Sequence, residues 1–96
     1  MVTAFVLINT EVGRTSEVAQ ALVETEGVAE AYSVAGEYDI VAVVKAQEYD
    51  EMAELVPERL SKIKGIARTH TLMAFQRYSQ KLLERMWEIG FGEEAQ

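Results

Sequence analysis

Ninety-six residues suit one domain whose core can fold alone with little to spare. A formal charge of −7, from 16 acidic against 9 basic residues, repels phosphates and argues against sequence-independent nucleic-acid binding by this chain alone. The absence of cysteine excludes a disulfide framework and any thiolate zinc site. The opening apolar run of about eight residues lacks a basic region ahead of it and is too short for a signal or a span, so a cytoplasmic protein off the membrane is expected.

Residues 2–9 (VTAFVLIN) are β-rich and apolar at nearly every position, as in a strand covered on both faces. Glu11, Val12, Gly13 and Arg14 break the run. Thr15 is placed to cap a helix over residues 16–26, with Glu17 favoured by the helix dipole in its first turn. Val18, Ala21 and Leu22 supply a modest apolar stripe, and Gly27 is expected to end the helix. Two strand-like runs follow, 29–34 and 38–45, meeting at Gly36-Glu37. Glycine at the first central position of a two-residue turn fits a type II′ hairpin, because it takes positive φ without steric cost.

A second helix opens at Ala46-Gln47-Glu48 and is apolar at Met52, Leu55, Val56, Leu60 and Ile63. Its proline, Pro57, removes a backbone donor and crowds the carbonyl of Ala53, so a kink is expected near Val56. Gly65 stops that helix. Residues 66–76 form the last strand, with Thr69, Thr71 and Met73 on one face and Arg68, His70 and Leu72 on the other. Residues 77–89 resume a helical pattern through Leu82, Leu83, Met86, Trp87 and Ile89, ended by Gly90, Phe91 and Gly92. The order βαββαβ predicts an α+β, ferredoxin-like sandwich: a four-stranded antiparallel sheet with two helices on one face, plus a C-terminal helix.

Two helices cover one side of such a sheet. Phe5, Leu7, Val41 and Val43 alternate with Val6, Ile8, Ala42 and Val44, so either choice leaves an apolar face open. An exposed patch of that kind marks an interface. A homodimer packed sheet to sheet is expected, at the usual scale of roughly 800 Å² per partner.

The segment Gly36-Glu37-Tyr38-Asp39 admits two readings. Turn chemistry alone explains the glycine. Free backbone amides there also suit a ligand carboxylate, and a side chain such as Asp39 suits an ammonium. Thr69 and Thr71 read first as cross-strand packing and second as hydroxyls lining an interface. His70 is the one histidine and has no companion ligand or HExxH context, so no metal is expected. Glu58 and Lys62 are spaced as a helical ion pair. No P-loop, nucleophile elbow or dinucleotide fingerprint occurs, and neither catalysis nor a cofactor is indicated.

The hairpin V-A-E-A-Y-S-V-A-G-E-Y-D-I-V-A-V-V-K and the later I-x-x-I-K-G-I-A-R-T-H-T-L-M-A-F resemble the ligand-binding (RAM) module of the Lrp/AsnC transcriptional regulators, over about residues 2–75. The resemblance implies a non-enzymatic sensor of small effectors, usually amino acids, held between dimers that assemble further. It carries Gly36, Glu37, Tyr38 and Asp39 onto the effector loop, Thr69 and Thr71 onto the last-strand threonines near the same groove, and Gln47 onto a position that approaches the ligand in some relatives. Because the first strand follows Met1 at once, the resemblance is to a stand-alone form without the helix-turn-helix, one that pairs with a full-length regulator or acts alone. Residues 1–76 would be the module, and residues 77–96 a helical extension that alters the usual ring. The rival reading is a dimeric α+β barrel enzyme, a cofactor-free monooxygenase or isomerase with His70 as base. It requires a closed apolar pocket between sheet and helices.

Overall fold

The computed structural model describes residues 1–87. Their order is β1 (Val2–Thr10), α1 (Thr15–Val23), β2 (Val28–Ser33), β3 (Ile40–Ala46), α2 (Tyr49–Glu54), β4 (Ile66–Met73) and α3 (Gln80–Met86). The strands form one antiparallel sheet in the order β2-β3-β1-β4, the expected ferredoxin-like arrangement. The anticipated end of the last helix at Ile89, with Gly90, Phe91 and Gly92, lies outside the described residues.

Alternation decides which side of the sheet is buried. Ala4, Val6 and Ile8 of β1 and Ile40, Ala42, Val44 and Ala46 of β3 lie under the helices, which contribute Val18, Leu22, Met52, Leu55 and Leu60. At about 25 cal/mol per Å² of apolar surface removed from water, this single cluster is the main stabilising term of the domain. Helix α1 packs over β2 and β3, and α2 over β3 and β1. Neither packs extensively on β4, which has no buried residue.

Three local expectations are corrected. Strands β2 and β3 are joined by residues 34–39 rather than by a two-residue turn. Val34 N donates to the Asp39 carbonyl (2.9 Å), so four residues form the tip, although Gly36 does take a positive φ of 122°. Thr15 does not cap α1; its hydroxyl is held by Thr10 Oγ1 at 2.9 Å, and the capping position falls to Arg14. Helix α1 also stops earlier than residue 26. The Thr25 hydroxyl donates to the Ala21 carbonyl (2.8 Å) and its amide to Leu22 (2.9 Å), an alternative partner that closes the last turn. Gly27, three residues past the cap at Glu24, is needed for a different reason. Its φ is 102°, and a Cβ there would collide with Leu55 Cδ1.

Pro57 acts as expected. Beyond Glu54 the helix widens into a π turn over Leu55–Arg59 and tightens into a 3₁₀ turn over Leu60–Lys62. This change of pitch removes the i,i+4 phase, and Glu58 forms no ion pair with Lys62. Among the described residues the ion pairs are those of Arg14 with Glu11 and Glu17, both exposed and of small worth.

Candidate functional site

Among the described residues, nothing covers the opposite side of the sheet. In register, Phe5 stands between Val43 and Leu72, and Leu7 between Val41 and His70. Tyr32 lies beside Val41, and Glu30 beside Val43. Phe5 is 39% exposed, Leu72 46% and Tyr32 51%, in a surface apolar at its centre and polar at its margins. At the margin, Tyr32 donates to the Glu30 carboxylate, and that hydrogen bond, with the charge behind it, raises the phenol above its ordinary value.

The loop of residues 34–39 stands at one end of this open face and is tied to β1 on two sides. Asp39 N donates to the Ile8 carbonyl (2.9 Å), while Asp39 Oδ2 accepts the Thr10 amide (2.8 Å) and the Thr10 hydroxyl (3.3 Å). The Thr10 hydroxyl in turn meets Thr15 at the start of α1. On the other side, Arg68 Nη2 donates to Asn9 Oδ1 (3.3 Å), and Asn9 Nδ2 donates to the Glu37 carbonyl (2.7 Å). The strand end thus anchors the loop twice, through polar residues that terminate an apolar run.

With the ends fixed, the tip is left open. Among the described residues, the backbone amides of residues 35–38 donate to no protein acceptor, and the Glu37 carboxylate has no partner. Gly36 has free space where a Cβ would stand. Such a set of unpaired donors beside a carboxylate offers both halves of a zwitterion a complement. Asp39 Oδ2 already serves Thr10, which ties the loop to β1.

Among the described residues, the other expected residues make no hydrogen bond to the loop. Thr69 pairs with Ile8 and Thr71 with Val6 on the helix side of β4, the strip that the helices leave bare. Gln47 follows β3 at the opposite end of the sheet. There it lines an open cleft of about 320 Å³ with Glu26, Lys45, Glu51, Glu54 and Arg59. That cleft is internally braced: Gln47 N donates to Glu51 Oε2 (2.8 Å) and Arg59 Nη1 to the Glu26 carbonyl (2.8 Å). His70 projects on the open face across from Leu7, away from the space between sheet and helices that the enzyme reading needs. Among the described residues no cluster of three metal-ligating side chains occurs, and no helix is long and apolar enough to cross a membrane. Asn9, Thr10 and Arg68 were not singled out from sequence. Their signal was the polar break at the end of β1, which has no meaning until the loop is seen against it.

The structure is thus an α+β sandwich with one open sheet face and a loop anchored at its end. The chain belongs to the Lrp/AsnC family: the family model for the Lrp/AsnC ligand binding domain matches residues 3–83. An uncharacterised HTH-type transcriptional regulator of Pyrococcus furiosus is 42% identical over 76 residues, which cover 76% of this chain and 51% of that protein. The chain thus spans about half the length of that curated relative. A solved structure from Thermus thermophilus is 40% identical, with a TM-score of 0.77 over 83% of this chain and 100% of its own. A transcriptional regulator of Neisseria meningitidis, solved as a complex with L-methionine, shares the fold at a TM-score of 0.73 and 14% identity, over 82% of this chain and 53% of its own.

Proposed function

We propose that this module senses an amino acid and reports it through assembly, in the service of transcription regulation. Two copies pack open face to open face, and effectors lodge at junctions between such pairs. The observation that carries the reading is the anchored loop, whose tip presents unpaired amides and the free Glu37 carboxylate to solvent. The methionine complex of the Neisseria regulator supports an amino acid as the ligand class. In this reading Gly36, Glu37 and Tyr38 meet the effector, and Asp39 sets their position. Thr69 and Thr71, on the helix side of β4, and Gln47, beyond the other end of β3, contribute in this reading from neighbouring copies.

The mechanism is linkage. An effector bound between pairs stabilises the assembly by its differential affinity for it, and an effector with equal affinity for both states shifts nothing. The module acts by itself or by co-assembling with a full-length regulator, and residues 77–96 adjust the size of the ring. Titration calorimetry with the common amino acids, paired with sedimentation in their presence, tests this. Heat from one or a few of them, with a larger assembly in the same samples, is the expected result. No heat from any of them overturns the sensor reading.

A further inference from the structure

Among the described residues, no side chain beyond β4 is buried against the body. The last ladder bond runs from Ala74 N to the Thr3 carbonyl (2.9 Å), after which residues 75–79 continue without regular structure into α3. Helix α3 is capped by its own sequence: Ser79 Oγ accepts the Leu82 amide at 3.0 Å. It nevertheless has no buried residue. Phe75 is 91% exposed and Tyr78 73%, and Leu83, Met86 and Trp87 are exposed as well. Apart from tertiary packing a short helix has little stability in water, and over its described residues α3 buries none of its apolar side chains, so that side calls for a partner surface.

We infer that this arm, residues 74–87, seats on a second copy of the chain and clasps the sheet-to-sheet pair. The inference rests on the pairing proposed above. Three observations favour this occupant. The arm leaves the sheet just after Leu72, which stands beside Phe5 on the open face, so whatever covers the face lies within its reach. Five or six residues extended at about 3.3 Å each span nearly 20 Å, twice the roughly 10 Å between packed sheets. The charges also match. Arg77, Lys81 and Arg85 against Glu84 make residues 77–87 basic, while residues 1–76 hold twelve acidic side chains and six basic ones. A second copy therefore offers the arm an acidic body. A nucleic acid or an anionic membrane would be repelled by that same body.

Trp87, the chain's one tryptophan, sits at the end of α3 and reports on the arm. The full chain is followed from nanomolar to high micromolar concentration by sedimentation, tryptophan emission and acrylamide quenching together. Emission is expected to shift to the blue, and quenching to fall about threefold, over the range in which the dimer forms. Leu83→Glu with Met86→Glu, both at exposed positions, is expected to weaken the dimer about tenfold without loss of helix or sheet signal. A dimer whose Trp87 stays open to quencher overturns this inference alone. So does an unchanged dissociation constant in the double variant, a Trp87 already protected in the monomer, or protection gained from anionic vesicles at monomeric dilution. Absence of a dimer at every concentration overturns both this inference and the pairing beneath it.

Discussion

Asp39 separates an anchoring role from direct ligand contact. Its Oδ2 takes the Thr10 amide at 2.8 Å and the Thr10 hydroxyl at 3.3 Å in a partly buried setting. Asp39→Ala removes a charge-assisted acceptor and strands a main-chain donor, at a cost of about 2 kcal/mol. Asp39→Asn keeps an oxygen for the amide and loses the charge, so its cost is about 1 kcal/mol. For a domain of this size each kcal/mol lowers the melting temperature by about 4–8 °C. Asp39→Ala is therefore expected to melt roughly 10 °C early and the asparagine variant roughly half as far. Calorimetric scans at one fixed protomer concentration measure this, since assembly makes the midpoint concentration-dependent. The alanine variant also loses effector affinity, because the tip amides lose their fixed position, and the asparagine variant keeps most of it. A wild-type melting temperature in Asp39→Ala, combined with abolished binding, would refute the anchoring argument and make the carboxylate a ligand contact.

Gly27→Ala meets a positive φ and Leu55 Cδ1 at once, and is expected to cost about 3 kcal/mol in urea denaturation, against about 1 kcal/mol for Gly36→Ala, where the space is open. Phe5→Glu places a charge at the centre of the open face and outside the core, so sedimentation should show a monomer with unchanged circular dichroism; a persisting dimer argues for a different pairing surface. Glu30→Gln is expected to lower the Tyr32 phenol toward its ordinary value in an absorbance titration of phenolate. The sign follows from the raised value in the folded chain. The Tyr32–Glu30 bond supports the fold below the ordinary phenol range and is lost as the pH rises through the raised value.

Much of the architecture was legible in the chain. Alternation in β1 and β3 places apolar residues on both sides, so a covered face and an open one follow from the pattern itself. Pro57 marked the place where α2 changes pitch, because a missing donor acts locally. The terms that misled were those set by distant partners. Thr15 fits a cap by every local rule, yet its hydroxyl is held by Thr10. Gly36 fits a two-residue turn, yet the loop is longer because Val34 and Asp39 close it.

The candidate site divides in the same way. The sequence by itself determined that a chain reversal centred on Gly36 joins two strands, since the strand-like runs break there and glycine takes the positive φ. Tertiary structure alone decided that Asp39 bonds Thr10, 29 positions away, and that among the described residues the Glu37 carboxylate has no partner. Hydrogen-bond partners across strands depend on register and loop length together, and neither is encoded within the few residues that a motif spans.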